Sequence, residues 1–221
     1  MKKIYLIMTL CMIMVSCKPN DEDDNGNKEQ INGHEYVDLG LPSGLKWSTC
    51  NVGATSPEEY GDYFAWGETT TKSEYNSSNC PIYGLSVSEL QSQEYIDSVG
   101  NLMPQYDAAT ANWGGDWRMP TKVEQEELLD NCTWSWVTQN GVNGYKVTSK
   151  VNGNSIYLPA AGFRDGSLLF SDGYIGQYWS SSPLETNHYG AFMLYFYSDV
   201  QRMDGSYRVL GQSVRPVLEE K

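Results

Sequence analysis

Residues 134–158 read WSWVTQNGVNGYKVTSKVNGNSIYL, and the fold class follows from them more than from any other segment. The dipeptides Asn140-Gly141 and Asn152-Gly153 stand between runs in which apolar and polar residues alternate. Asn-Gly readily adopts the positive φ angles of the tight turns that join antiparallel strands. The segment therefore predicts a three-stranded antiparallel meander, with strands at residues 134–138, 144–150 and 155–158.

A helix is predicted just before this meander. Thr121 and Glu124 are three residues apart and precede Leu128. This spacing is typical of a capping box, in which the hydroxyl accepts from the helix backbone and the carboxylate accepts from the N–H of the cap. The pattern predicts a helix over residues 121–131.

Short alternating or aromatic runs occupy much of the remaining chain. Residues 70–102 are instead polar and without a regular period, which predicts a long loop with one short helix near residues 88–98. Together the patterns predict an α+β fold of mostly short antiparallel strands, with one or two helices and long ordered loops. The other predicted strands are residues 45–49, 61–67, 178–182, 191–197 and 211–217.

The N-terminus has the parts of a secretory signal. Two lysines precede an apolar run, residues 4–15, that is too short to span a bilayer, and Cys17 follows shortly after. This arrangement predicts a lipoprotein signal peptide at residues 1–16 and acylation of Cys17, which anchors the mature chain to a membrane. The alternative is an ordinary signal peptide that happens to contain the cysteine.

Residues 17–30 are predicted to be a flexible tether, because they include the acidic run at 21–24 and no large apolar side chain. The acidity could serve solubility alone. It also resembles the export signals of surface lipoproteins in Bacteroides-type bacteria, which implies an outer-membrane position facing the cell exterior. Residues 31–221 are predicted to form a single domain.

The overall composition limits the partners of the chain. It has 28 Asp and Glu against 15 Lys and Arg, a net charge of −13. This balance argues against electrostatic binding of nucleic acid or of anionic membranes. Four tryptophans are predicted to be core residues, and Arg215 is predicted to lie in a structural ion pair or hydrogen-bond network. The tryptophans are Trp47, Trp66, Trp117 and Trp179.

Three cysteines remain after the signal and the anchor, namely Cys50, Cys80 and Cys132. An odd number allows at most one intramolecular disulfide and leaves one thiol over. Cys50 and Cys132 both lie beside tryptophan-containing segments, so they are the predicted pair.

No metal, cofactor or enzyme site is predicted. The sequence has no Cys-x-x-Cys motif, His34 and His188 are isolated, and the acidic residues lack the spacing of a calcium loop. The run at residues 180–182 could supply a serine nucleophile, but His188 is expected to be a loop residue facing solvent.

The C-terminal segment, residues 174–207, has the composition of a recognition surface. Tyr and Arg offer large contact areas with a polar group, and Ser, Asn and Asp offer adaptable hydrogen bonds. The alternative is a Tyr-rich sheet edge with polar loops. The predicted ligand-binding residues are Tyr178, Asn187, His188, Tyr189, Tyr195, Tyr197, Asp199, Gln201, Arg202, Asp204, Ser206 and Tyr207.

Seven motifs, in order along the chain, resemble the Fibrobacter succinogenes major paralogous domain, which occurs in bacterial surface lipoproteins. The resemblance implies a C-type-lectin-like fold. That fold is shared by formylglycine-generating enzymes and by the variable proteins of diversity-generating retroelements. The motifs are YVDLGLPSGLKW (36–47), NVGA (51–54), GDYFAWGE (61–68), WRMPT (117–121), LPAAG (158–162), YWSS (178–181) and SVRPV (213–217).

The resemblance implies a surface-displayed binding or adhesion module for a protein or glycan on another cell, a host or a phage. In retroelement-diversified proteins of this fold, adenines in C-terminal codons are randomised, and the reachable residue types are abundant in residues 174–208. One alternative is a formylglycine-synthase-like enzyme of changed chemistry, although the C-terminal cysteine pair of those enzymes is absent. The other is a fimbria-associated structural subunit.

Overall fold

The computed structural model describes residues 29–219. The predicted signal peptide, Cys17 and all but the last two tether residues lie outside this range. The described α-helices are α1 (Val87–Ser92), α2 (Ala108–Trp113) and α3 (Lys122–Asn131). The described strands are β1 (Gln30–Ile31), β2 (His34–Asp38), β3 (Lys46–Ser48), β4 (Trp117–Arg118), β5 (Cys132–Gln139), β6 (Val142–Ser149), β7 (Ser155–Pro159), β8 (Phe163–Asp165), β9 (Leu168–Phe170), β10 (Ile175–Pro183), β11 (Gly190–Tyr197), β12 (Val200–Tyr207) and β13 (Val217–Leu218).

The fold is α+β, with mostly antiparallel strands and few helices, as predicted. A five-stranded sheet has the order β1-β2-β3-β13-β4, so strands from both ends of the described chain lie in one sheet. Two three-stranded sheets, β5-β6-β7 and β10-β11-β12, and the β8-β9 hairpin complete the architecture. No helix in the described range is both long and apolar enough to cross a membrane.

The predicted meander is confirmed as β5-β6-β7. Trp136 pairs with Tyr145 across the first turn, and Val147 pairs with Ile156 across the second. Asn140 and Gly141 have φ angles of +49° and +85°. These positive angles match the right-handed twist of the flanking strands, which is why Asn140-Gly141 forms the first turn.

The predicted capping box is also confirmed. The Thr121 hydroxyl accepts from Glu124 N at 3.3 Å, and the Glu124 carboxylate accepts from Thr121 N at 2.8 Å. Arg118 donates to both oxygens of the same carboxylate at 2.7 Å. Buried Leu128 joins α3 to the hydrophobic core.

Several elements differ from the predictions. Residues 61–67 form no strand and make only an isolated bridge between Phe64 and Gln212, and the last predicted strand is reduced to β13. Helix α2 and strand β12 were not predicted. The described chain has three α-helices, where one or two were predicted. Strand β12 is an outer strand with polar residues on both faces, and Met203 packs against a hydrophobic cluster. Its sequence therefore lacks the regular alternation that marks a half-buried strand.

The sheet β10-β11-β12 separates two hydrophobic clusters. One contains Trp66, Trp179 and Met193 and lies under the long loops, and the other contains Trp47 and Phe196 and lies against α3 and the meander. All four tryptophans predicted to be core residues are at most 1% exposed.

Arg215 is buried in a hydrogen-bond network, as one of the two predicted alternatives stated. It donates to Asn51 Oδ1 at 2.9 Å, Ser48 O at 3.0 Å and Tyr157 O at 2.9 Å, and also to Thr49 O. The guanidinium thereby joins the turn after β3 to the meander.

Candidate binding face

Strands β11 and β12 form a hairpin whose two faces contact different parts of the molecule. Cross-strand partners share a face, so Met193 and Tyr195 lie on the same face as Asp204 and Arg202. On this face Met193 belongs to the cluster under the long loops, whereas Phe196 on the opposite face packs towards α3 and the meander. The β12 half of the first face stays accessible.

We call Tyr195, Tyr197, Arg202, Asp204 and Ser206 the hairpin face. The guanidinium carbon of Arg202 lies 4.9 Å from the ring centroid of Tyr195, and its Nη2 donates to Asp204 Oδ2 at 2.7 Å. The Tyr195 and Tyr197 rings meet edge to face, with centroids 5.9 Å apart. The Arg202 and Asp204 side chains are 51% and 41% exposed. The face thus combines aromatic area with accessible charges.

Three tyrosines lie together at the open end of the hairpin. They are Tyr83 from the long loop, Tyr189 before β11 and Tyr207 at the end of β12, and we call them the tyrosine end. The rings of Tyr83 and Tyr189 lie with their centroids 4.9 Å apart. Burial raises the pKa of Tyr83, and the nearby phenols of Tyr207 and Tyr189 raise it further. A cleft of about 290 Å³ adjoins this end and is lined by Leu184, Asn187, Gly205, Ser206 and Tyr207.

Arg208 holds the tyrosine end together from inside the molecule. It is fully buried directly after β12, and its Nε donates to Gly190 O at 2.9 Å. Its Nη1 donates to Ile82 O at 3.2 Å and to Leu85 O at 2.8 Å. The guanidinium also lies over the Trp66 ring, and burial lowers the pKa of Arg208 to about 10. Arg208 therefore ties the loop that carries Tyr83 to the start of β11.

Tyr178 does not lie on the predicted binding surface. Its side chain is fully buried, its ring stacks on Phe196 with centroids 5.7 Å apart, and its hydroxyl donates to Pro159 O at 2.6 Å. We therefore correct its predicted role: Tyr178 is a core residue that faces the meander. Composition identified the segment but not which face of β10 each residue occupies.

The other eleven predicted residues are at least partly exposed, but they do not form one patch. Asp199 lies in the turn between β11 and β12, at the end opposite the tyrosine end. Gln201 pairs with Phe196 and therefore lies on the face opposite Arg202. The residues near or at the tyrosine end are Asn187, His188, Tyr189 and Tyr207, and those of the hairpin face are Tyr195, Tyr197, Arg202, Asp204 and Ser206.

Sequence analysis missed Tyr83 and Arg208 as parts of this surface. Tyr83 lies in the segment that was expected to be a long loop, more than 100 residues before Tyr189. No local pattern marks a contact over that separation. The one sequence feature that could have marked this surface is Arg208, which directly follows Tyr207.

A second, polar cleft of about 890 Å³ lies between β2–β3 and the meander. Lys46 donates to Asp38 within it, and Lys146 is exposed at its other wall. The sequence analysis did not identify this cleft, because its walls come from segments about 100 residues apart. The charged residues that line it are Glu29, Asp38, Lys46 and Lys146.

The cysteines differ from the prediction. Cys50, Cys80 and Cys132 are all free thiols, so the predicted Cys50–Cys132 disulfide is not present. Cys132 is buried beside Leu128 at the start of β5, whereas Cys50 lies in the turn after β3. Nearness to a tryptophan in sequence did not place the two thiols together. Burial raises the pKa of Cys80 and of Cys132 to about 11, which keeps both thiols protonated at neutral pH.

The serine run on β10 makes structural hydrogen bonds. Ser180 Oγ donates to Phe192 O at 2.9 Å, and Ser182 Oγ lies 3.2 Å from Asn101 Oδ1. His188 is exposed in the loop before β11. Across residues 29–219, no three His, Cys, Asp or Glu side chains are grouped so that they could hold a metal ion.

Comparison with protein-family models, curated proteins and solved structures gives no match to this chain.

Proposed function

We propose that the chain is a surface-displayed lipoprotein that binds a protein or glycan ligand through the hairpin face and the tyrosine end. We also propose that it is a Fibrobacter succinogenes major paralogous domain with a C-type-lectin-like fold. The ordered motifs support that assignment, as do the mostly antiparallel sheets and the long irregular region between β3 and β4.

One observation carries the binding function. Within residues 29–219 the exposed tyrosines are Tyr174, Tyr189, Tyr197 and Tyr207, and all four belong to the C-terminal segment. An exposed tyrosine offers a partner a rigid ring and a hydroxyl with little loss of conformational entropy. Three of them, Tyr189, Tyr197 and Tyr207, lie on the hairpin face or at the tyrosine end, with the Arg202–Asp204 pair and a cleft. This is the composition and geometry of a recognition surface.

The test begins with defined probes. The protein is screened on a glycan array and against a phage-displayed peptide library, and retained ligands are titrated against Tyr189→Ser and Tyr207→Ser. We expect each substitution to weaken binding about tenfold or more, because buried aromatic anchors dominate interfaces. Tyr174→Ser is the matched control, since Tyr174 is 75% exposed and precedes β10, away from the tyrosine end. Equal binding by all three variants, or no ligand from either library, would contradict the proposal.

The lipid anchor is tested separately. Metabolic labelling with a radioactive fatty acid should mark the wild-type chain and not Cys17→Ser. Protease added to intact cells should then remove the domain if it faces the exterior, and leave it intact if it faces the periplasm.

We further propose that the binding surface is diversified by a retroelement. The exposed residues Tyr189, Arg202 and Tyr207 lie close in sequence to the fully buried Trp179 and Phe196, so variable and fixed positions can be distinguished. Sequencing codons 174–210 across a population should show substitutions at adenine positions of the exposed residues, with the two buried residues unchanged. A uniform segment would exclude diversification and leave a binder of fixed specificity.

A further inference from the structure

Strand β12 is the outer strand of its sheet, and no other strand of the described range pairs with its far edge. Two hydrogen bonds show which of its backbone groups face outwards. Ser180 of β10 donates to Phe192 O, and Arg208 N donates to Tyr189 O where the β11–β12 pairing ends. In an antiparallel pair, successive residues turn their N–H and C=O groups to opposite sides. The groups that point away from β11 are therefore those of Gln201, Met203, Gly205 and Tyr207.

Two of these outward groups already have partners. Gly205 N donates to Asp204 Oδ1 at 2.8 Å, and Tyr207 O accepts from Leu210 N at 3.0 Å. The N–H and C=O groups of Gln201 and Met203, and the C=O of Gly205, have no hydrogen-bond partner within residues 29–219. An unpaired strand edge, here residues 201–205, is a template for pairing with another strand.

The side chains along this edge are complementary to those of a second copy. In an antiparallel pair with a two-fold axis at Met203, the two Met203 residues face each other and their outward N–H and C=O groups bond. The same register places Arg202 opposite Asp204 of the second copy. Opposite charges in directly facing positions stabilise strand pairs, and like charges destabilise them.

We propose that two copies of this chain associate through β12, antiparallel and two-fold symmetric about Met203. The outward groups of Gln201 then pair with those of Gly205 in the second copy. The result is a continuous six-stranded sheet, β10-β11-β12 from each copy. Because facing residues share a side of a sheet, both hairpin faces lie on the same side and form one bivalent surface. The association does not depend on what ligand that surface binds.

Asp204 controls access to this edge. In the single chain its Oδ1 holds the outward N–H of Gly205, and its Oδ2 accepts from Arg202. On pairing, Gly205 N donates to Gln201 O of the second copy, and the Asp204 carboxylate is released to face Arg202 of that copy. The Gly205 N–H and the Asp204 carboxylate therefore each keep a hydrogen-bond partner when the two copies pair.

Sedimentation equilibrium tests the proposal with the full chain carrying Cys17→Ser, so that an acyl group cannot form micelles. The wild-type sequence should self-associate to a dimer. Arg202→Asp and Asp204→Arg should each weaken self-association about tenfold or more, because each places like charges opposite one another twice. An equimolar mixture of the two variants should restore association, since each then faces its opposite charge. Both residues are exposed, so circular dichroism should show an unchanged fold.

A backbone substitution provides the second, independent measurement. Gln201→Pro removes an outward N–H that bonds nothing in the described chain, so the hairpin should keep its fold while the dimer is lost. Thr138→Ala, in the exposed part of β5, is the control and should leave association unchanged. A chain that stays monomeric, or a dimer that tolerates both charge reversals, would overturn the proposal.

Discussion

Arg215 makes four hydrogen bonds in the interior, three of them to backbone carbonyls. These carbonyls belong to Ser48 and Thr49 at the end of the five-stranded sheet and to Tyr157 on β7. A buried carbonyl that loses its donor pays a desolvation cost of about 1–3 kcal/mol. The Arg215 side chain therefore holds the end of β3 against β7.

We predict that Arg215→Met lowers the free energy of unfolding by about 3 kcal/mol or more, because several buried acceptors lose their donor together. Urea denaturation monitored by tryptophan fluorescence measures the change. Lys146→Met is the control: its side chain is exposed, so its effect should stay within about 0.5 kcal/mol. Equal effects of the two substitutions would disprove the structural role of Arg215.

We predict that His34 contributes a pH dependence to the stability of the molecule. Its ring stacks on Trp113 with centroids 3.7 Å apart, and burial lowers its pKa. The folded chain then binds a proton less readily than the unfolded chain. Stability should therefore decrease as the pH falls through the unfolded value of about 6.5.

The measurement is urea unfolding at pH 7.5 and pH 5. His34→Phe keeps an aromatic ring against Trp113 but cannot be protonated, so it should lose less stability over this interval than the wild type. An unchanged pH dependence in His34→Phe would assign the effect to other groups.

At the scale of elements, α3 and β12 represent the two extremes of predictability. The ends and the buried face of α3 follow from residues within one short segment, because the Thr121–Glu124 cap is local. Strand β12 forms because it pairs with β11. Its own residues do not predict a strand, since they include Gly205 and two charged side chains. Elements of the first kind should respond to changes in their caps.

We predict that Thr121→Ala lowers the free energy of unfolding by about 1 kcal/mol, since the Glu124 N–H loses its acceptor. Thr121→Ser keeps a hydroxyl at the cap and should stay close to the wild type. Urea denaturation of both variants measures the difference. Similar losses in both would show that the methyl group of Thr121, not its hydroxyl, is the stabilising part.

At the scale of the whole molecule, the candidate binding surface is assembled from distant segments. Arg208 joins Ile82 and Leu85 of the long loop to Gly190 at the start of β11. The position of Tyr83 beside Tyr189 therefore depends on a side chain from a third part of the chain.

We predict that Arg208→Met increases amide hydrogen exchange in residues 82–90 and 185–191 while the exchange of the meander stays the same. Local opening becomes easier because the two segments lose their shared donor. Exchange measured by mass spectrometry tests this. Uniform acceleration over all peptides would instead indicate that Arg208 stabilises the whole fold.

Local sequence patterns predicted the α+β class, the meander, the α3 cap, the four buried tryptophans and the segment with the composition of a recognition surface. Each of these depends on a local cause, such as the φ angles of Asn-Gly or the spacing of Thr121 and Glu124. The buried position of Tyr178, the free thiols of Cys50 and Cys132, and the contact of Tyr83 with Tyr189 were decided only by the tertiary structure. Each of these depends on which face a residue occupies or on segments far apart in the chain. No local pattern carries that information, because it arises only when the sheets pack together.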